Sequence, residues 1–193
     1  MLEPAARDPR AETAIVQISR ARLRMLGHGR VAAALAHSPQ LARRPVRLLL
    51  AGTATGHDSA EDYERVVRAA RRSDRGIDIA VLEERRPLEL AGHIRRARVA
   101  IGTSLHVRIV AAAYGVARVS LAKPKPTRYA RQWDPGMPYG VGVEDLDAAV
   151  EAALRQAGRP EAAAHAEALA LASDERLRAL AALVRRAASR QSR

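Results

Sequence analysis

Short runs of aliphatic and β-branched residues alternate with helical stretches along most of this chain. Strands are predicted at residues 14–18, 46–50, 77–82, 98–101 and 116–121, with a short sixth strand near 140–142. Helices are predicted between them, at about 29–37, 59–71, 87–96, 103–114 and 144–155. Strands that alternate with helices of this length form βαβ units, so the pattern predicts a parallel sheet covered by helices on both faces.

The predicted fold class is therefore α/β, with a Rossmann-like, doubly wound parallel sheet and a helical C-terminal tail. We expect an N-terminal extension over residues 1–13, a Rossmann-like domain over 14–157 and the tail over 158–193. In the tail, apolar residues recur at helical spacing, namely Leu177, Leu180, Leu183, Val184 and Ala187. This face predicts docking onto the domain or a neighbouring chain, because a membrane-surface helix would carry larger apolar residues.

The chain is strongly basic, with 33 Lys and Arg residues against 21 Asp and Glu and a net charge of +12. Only 3% of the residues are aromatic. A nucleic-acid interface combines clustered cations with aromatic side chains on which bases stack, so this composition favours a solvated basic surface over a nucleic-acid partner. A non-catalytic module that binds polyanions stays open as an alternative.

The sequence contains no cysteine, which excludes disulfides, thiolate nucleophiles and thiolate zinc ligands. Charges and prolines occupy the first ten residues, where a signal peptide has an apolar stretch. No apolar run approaches the roughly 18 residues that a membrane span requires. These features predict a cytoplasmic protein without a membrane span.

Four loops follow the carboxyl ends of predicted strands, which is where open parallel sheets bind their ligands. They cover residues 19–20, 52–58, 102–106 and 123–128. In the third loop, Gly102 permits close approach of a ligand, while Thr103 and Ser104 can cap the helix and offer hydroxyl groups to an anion. His106 then lies in the first turn, where it either delivers a proton beside a bound phosphate or is only hydrogen-bonded at the cap.

The adjacent residues His57 and Asp58 follow the second predicted strand. Two ligands are too few for a metal site, and the remaining histidines do not stand at a zinc-binding spacing, so no metal is predicted. The pair is a candidate contact for substrate. The alternative is a turn in which the aspartate only orders the loop.

Residues 99–106, followed by 109–116, resemble the signature of the polysaccharide pyruvyl transferase family, in which a Gly-x-x-Leu-His segment opens a helix of small apolar residues. Lys125, Tyr129 and Trp133-Asp134 resemble the lysine-containing loop that follows the next strand in that family. The resemblance implies the C-terminal, donor-side half of a GT-B-like enzyme. Such an enzyme transfers the enolpyruvyl unit of phosphoenolpyruvate onto two sugar hydroxyls as a ketal.

The resemblance also implies roles for individual residues. His106 would contact phosphate or deliver the proton, and Arg20 and Lys125 would neutralise the carboxylate and the phosphate. Gly102, Thr103 and Ser104 would form the donor cradle, with His57 and Asp58 as further substrate contacts. Phosphoenolpyruvate is a substrate in this scheme, no cofactor is implied, and the acceptor is a glycan or a lipid-linked sugar.

Only about 13 residues precede the first predicted strand, so the N-terminal half of such an enzyme is not expected within this sequence. A separate chain or a homo-oligomer would then complete the cleft. The alternative enzyme class is a nucleotide-sugar glycosyltransferase of GT-B type. It would carry a carboxylate for the ribose near the end of strand 4 or 5, and none follows strand 4.

Overall fold

The computed structural model describes residues 12–52, 57–169, 171, 172, 175 and 178. Its strands are β1 (Ala14–Gln17), β2 (Val46–Leu49), β3 (Ile79–Leu82), β4 (Val99–Gly102), β5 (Ala117–Leu121) and β6 (Tyr139–Val141). Its helices are α1 (Arg20–Leu26), α2 (His28–Ala36), α3 (Ala60–Ser73), α4 (Pro87–Arg95), α5 (Leu105–Ala113), α6 (Pro124–Trp133) and α7 (Leu146–Ala157). Residues 160–169 are also helical.

The described strands form one parallel sheet in the order β3-β2-β1-β4-β5-β6. This is the order of a doubly wound Rossmann sheet, so the predicted fold class is confirmed. The strand order reverses between β1 and β4, where Gln17 lies opposite Gly102 in the register. A crevice opens beyond the carboxyl ends of the strands at such a point.

Two apolar cores cover the two faces of the sheet. Successive side chains of a strand point to opposite faces, so Val16 contributes to one core and its neighbour Ile15 to the other. The larger core contains residues of α1, α2, α3 and α7, and the smaller contains residues of α4 and α5. Burial on both faces explains why these strands read as apolar runs rather than alternating ones.

Two predicted helix boundaries are confirmed in detail. The Ser59 hydroxyl oxygen accepts a hydrogen bond from the Asp62 N–H at 3.2 Å and so caps α3. Gly115 has a φ of 64° and ends α5. The Gly115 N–H donates to the Ala112 carbonyl and the Val116 N–H to the Ala111 carbonyl, which is the Schellman pattern.

Helices α1 and α6 were not among the predicted elements. Three arginines in the seven residues of α1 hide its periodicity, and its one buried side chain is Leu23. Pro124 and Pro126 make the start of α6 read as a loop, as the resemblance also implied. Both prolines lie in the first turn, where the missing N–H groups have no intrahelical partner in any case.

The beginning of the tail packs against the domain. Ala166 is buried, and the His165 ring nitrogen Nε2 lies 2.8 Å from the Trp133 carbonyl oxygen. The five apolar residues predicted to form the docking face of the tail lie outside the described residues. Within the part of the chain that the structure describes, no helix is both long enough and apolar enough to cross a membrane.

Candidate functional site

Hydrogen bonds join the loops that follow β1, β2, β4 and β5. The Arg20 N–H donates to the His57 carbonyl at 2.7 Å, and the Ser19 N–H donates to the Thr103 hydroxyl at 2.9 Å. The Lys123 ammonium group donates to the Ser19 hydroxyl at 3.3 Å. The structure therefore brings together the four loops that the sequence selected, at the carboxyl edge of the sheet.

Gln17, the last residue of β1, is the central polar side chain of this edge and was not predicted. Its side chain is buried, and Nε2 donates to an Asp58 carboxylate oxygen at 2.7 Å. Its Oε1 accepts from the Thr103 N–H and hydroxyl, each at 3.3 Å. Because a carboxylate only accepts hydrogen bonds, the contact with Asp58 fixes the orientation of the amide. Its place as a polar residue at the end of an apolar strand is the feature of the sequence by which Gln17 could have been identified.

Gly102 has a steric reason to be glycine. A Cβ atom at this position would lie 2.3 Å from the Gln17 carbonyl oxygen, far inside van der Waals contact. The absence of a side chain lets β4 run close against β1 just before the loop begins. The Thr103 N–H is thereby placed 3.0 Å from the Gln17 carbonyl.

Thr103 and Ser104 have different surroundings. Thr103 is 1% exposed, and its hydroxyl is bonded to Ser19 and Gln17. The sequence predicted that this hydroxyl faces an anion. In the structure it faces the protein interior instead, because it ties the end of β1 to the start of the next loop. Ser104 is half-buried and caps α5, accepting from the Val107 N–H at 3.4 Å.

His106 is exposed in the first turn of α5, beside N–H groups that have no partner within the helix. Its ring is open to solvent at the edge that also carries Arg20 and the lysines. Lys125 is exposed in the first turn of α6, whereas Lys123 is the lysine bonded to the β1 loop. The geometry therefore adds Lys123 to the candidate anion-binding residues, and the role of Lys125 stays a prediction.

Asp58 is held by the ends of β1 and β2. Its carboxylate accepts from the Ala51 N–H at 2.7 Å as well as from Gln17. Burial raises the pKa of this carboxyl group above its usual value, against the opposing effect of these hydrogen bonds. These contacts support a loop-ordering role for Asp58, while His57 is exposed. Among the described residues, no group of three or more His, Asp or Glu side chains could hold a metal ion.

Tyr63 of α3 contacts the ends of β1 and β2 at the same edge of the sheet. Its hydroxyl accepts from the Ile18 N–H at 2.8 Å and lies 3.2 Å from the Leu49 carbonyl oxygen. Burial raises the pKa of this phenol well above 10, and the nearby charge of Asp58 adds to the effect. Tyr63 therefore stays protonated and donates a hydrogen bond beneath the site at physiological pH.

Two cavities lie away from this edge. One, of about 350 Å³, lies between α2 and α7, and the other, of about 270 Å³, lies beside His165. Neither shares a residue with the four loops. In the first cavity Arg30 is 3.5 Å from Glu144, and Asp147 accepts from Ser38, so these polar groups are already partnered. We assign the candidate site to the sheet edge because the convergent polar groups are there.

Replacing Gln17 by glutamate is expected to destabilise the protein at pH values above the pKa of the pair of carboxyl groups that results. A second carboxylate would stand about 2.7 Å from Asp58 in place of an N–H donor. Two carboxyl groups at this distance share a proton, which raises one folded-state pKa above its unfolded value. An acid with a raised folded pKa loses stability as pH rises, so the deficit should shrink as pH falls.

Thermal unfolding between pH 3 and 8 measures this effect. Gln17→Met is the matched control, because it removes the same hydrogen bonds without adding a charge. Its deficit relative to wild type should shrink less on acidification than that of Gln17→Glu, because losing the Gln17 hydrogen bond raises the pKa of Asp58 alone. Parallel curves for the two variants would show that Gln17 and Asp58 are not in contact.

Comparisons with known proteins concern the fold. No protein-family model and no curated protein matches this sequence. Among solved structures, it is similar to UDP-GlcNAc 2-epimerase from Neisseria meningitidis bound to UDP-GlcNAc, with a TM-score of 0.54 and 9% identity over 88% of this chain. The spinosyn rhamnosyltransferase SpnG has a TM-score of 0.48 and 15% identity, also over 88% of this chain.

This chain covers 45% of the epimerase and 42% of the rhamnosyltransferase. It therefore spans less than half the length of these proteins. The likeness to the epimerase concerns the fold alone, which is a Rossmann-like layer of parallel strands and helices.

Proposed function

We propose that this chain is the donor-binding half of a GT-B-like sugar-modifying enzyme, and that the donor is a phosphorylated compound held at the carboxyl edge of the sheet. The observation that carries the proposal is the joining of four strand-end loops around the start of α5. Catalysis would require a second half, from another polypeptide or another copy, to close the open edge. A glycan or lipid-linked sugar would be the acceptor.

Two basic residues belong to the loops that are joined at the start of α5. The main chain of Arg20 is bonded to His57 in the β2 loop while its guanidinium lies against Asp62 of α3, and the Lys123 ammonium group is bonded to Ser19. The free N–H groups of the first turn carry partial positive charge and favour an anion at this edge. A ligand with two anionic groups suits this arrangement better than one with a single charge.

Phosphoenolpyruvate is one candidate donor, supported by the resemblance to pyruvyl transferases and by the exposed ring of His106. In this reaction a sugar hydroxyl oxygen bonds to C2 of the donor, its proton is released, and a general acid protonates C3. The second hydroxyl then bonds to C2, losing its own proton, as the C2–O bond to phosphate breaks. His106 would supply the proton to C3, and the first turn of α5 with Arg20 and Lys123 would hold the departing phosphate.

A nucleotide sugar is the second candidate donor, supported by the likeness of the fold to an epimerase bound to UDP-GlcNAc. The diphosphate of such a donor would occupy the same start of α5. A ribose commonly requires a carboxylate acceptor for its hydroxyl groups. The exposed residues of α5 are His106, Ile109 and Ala113, none of which is acidic. A nucleotide sugar would therefore need its ribose contact from another element.

Thermal-shift titrations with phosphoenolpyruvate, UDP-GlcNAc and inorganic phosphate test the proposal. A donor at 100 times its Kd stabilises the folded state by about 2.7 kcal/mol. For a chain of this size we expect the Tm to rise by about 5–10 °C. His106→Ala should reduce the rise produced by phosphoenolpyruvate and leave that of inorganic phosphate nearly unchanged.

His93→Ala is the matched control, because His93 is a half-buried histidine on α4, away from the four loops. It should respond to each compound as the wild type does. A rise with UDP-GlcNAc alone would select the nucleotide-sugar candidate. An equal response to all three compounds, or no response, would contradict a donor site at this edge.

A further inference from the structure

The Asp62 carboxylate, in the first turn of α3, is surrounded by three basic side chains. Arg24 Nε donates to Oδ2 at 3.3 Å, and His28 Nε2 lies 3.1 Å from Oδ1. Arg20 Nε lies 3.3 Å from Oδ2 as an ion pair. All three basic residues come from α1 and the start of α2, so one carboxylate fixes this segment against α3.

Asp62 is ionised in this position although it is buried. Its side chain is 1% exposed, and burial by itself would raise the pKa of the carboxyl group. The hydrogen bond from His28 and the charge of Arg24 outweigh burial and hold the pKa below its usual value. An ionised, fully enclosed carboxylate has few rotamers, so it is a rigid anchor for the guanidinium groups around it.

Arg20 differs from Arg24 in what surrounds it. Its main-chain N–H is bonded to His57 in the β2 loop, so its backbone belongs to the candidate site. Asp62 lies on the Nε side of its guanidinium, and the side chain is 42% exposed. Among the described residues, the two terminal nitrogens of Arg20 have no hydrogen-bond partner. Arg20 Nε is buried and makes no hydrogen bond, so its contact with Asp62 is an ion pair between charges, and the terminal nitrogens stay available for an oxyanion.

We propose that Asp62 is a positioning residue that holds Arg20 so that its terminal nitrogens bind an anionic group of the donor. This inference rests on the proposed function, because it assigns to the same site a residue that supports a ligand-binding residue. Arg20 touches the ligand, and Asp62 acts only through Arg20. The anionic group is a phosphate or carboxylate, since both match the fork of a guanidinium.

The direction in which Asp62→Asn changes the affinity for an anion distinguishes a positioning role from a purely electrostatic one. Asp62 is a negative charge close to an anion site. If it acted only through its charge, Asp62→Asn would strengthen anion binding, because repulsion would fall. If Asp62 positions Arg20, the same substitution frees Arg20 and weakens anion binding. The two explanations therefore predict opposite changes in affinity.

Calorimetric titration with phosphoenolpyruvate, and in parallel with UDP-GlcNAc, measures these affinities for the full chain. We expect Arg20→Ala and Asp62→Asn each to raise the Kd about tenfold, and the double variant to raise it little more than either alone. Arg24→Ala is the matched control, because it removes another cation from the same carboxylate. Its Kd should stay within about twofold of wild type.

Unchanged or tighter binding by Asp62→Asn, or additive effects of the two substitutions, would overturn the positioning role while leaving the donor site intact. Failure of both compounds to bind the wild type would overturn the proposed function and this inference together. If Asp62→Asn does not fold, Asp62→Glu provides the test, because it keeps the charge and displaces the carboxylate by one methylene. Weaker binding by that variant supports positioning, and unchanged binding contradicts it.

Discussion

Gly102→Ala is expected to destabilise the folded protein by about 2–3 kcal/mol, the upper range for inserting a methyl group into packed structure. The added Cβ would meet the Gln17 carbonyl oxygen at 2.3 Å. That oxygen is main chain in a central strand and cannot rotate away. Relief requires β1 and β4 to separate at the point where the candidate site begins. Thermal unfolding should show a Tm lower by about 5–10 °C.

Gly29→Ala is the matched control for this substitution. Gly29 lies within α2, and a Cβ there would meet no atom within 4 Å. Alanine favours helix over glycine by up to about 1 kcal/mol, so this variant should be as stable as wild type or slightly more stable. A Gly102→Ala variant as stable as Gly29→Ala would show that the two strands are not packed as described.

The sheet could be predicted from the sequence because both of its faces are buried. A strand enclosed on two sides is apolar at every position, as at residues 14–16 and 99–101, so its length and place are visible without knowledge of its neighbours. Helix boundaries were predictable where the signal is local. Ser59 and Gly115 each act on backbone groups within five residues of themselves.

The contacts that organise the site could not be predicted, because they join residues far apart in the sequence. Gln17 bonds to Asp58 and Thr103, and Asp62 binds residues of α1 and α2. The strand-end rule placed these loops at one edge but gave no orientation for any side chain. Thr103 is the clearest example, since its hydroxyl faces inward and the neighbouring His106 faces outward.

A second set of long-range contacts lies between α5, β5 and the loop after α6. Asp134 is 1% exposed and binds Arg118 through both carboxylate oxygens, at 2.7 and 2.6 Å. Arg108 contacts the same carboxylate at 2.8 Å and also donates to the Ser120 hydroxyl and the Pro138 carbonyl. Burial lowers the pKa of Arg108, against the opposing charge of Asp134. Two buried cations thus depend on one carboxylate.

Asp134→Asn is expected to destabilise the protein by about 3–5 kcal/mol, because it leaves two buried guanidinium groups without a counter-charge. The exposed pair of Glu151 and Arg155 supplies the matched control. Glu151→Gln should change stability by no more than about 1 kcal/mol, since water already solvates both partners. Urea unfolding of the two variants measures the difference.

Adding Arg118→Met to Asp134→Asn tests whether charge is the cause. The wild-type cluster has two cations and one anion, and the double variant, with Arg108 alone, returns to the same net charge of +1. Methionine also fills much of the volume of the arginine stem. The double variant should therefore be more stable than Asp134→Asn alone. If instead the two losses add, the cluster stabilises the fold through its hydrogen bonds and not through charge balance.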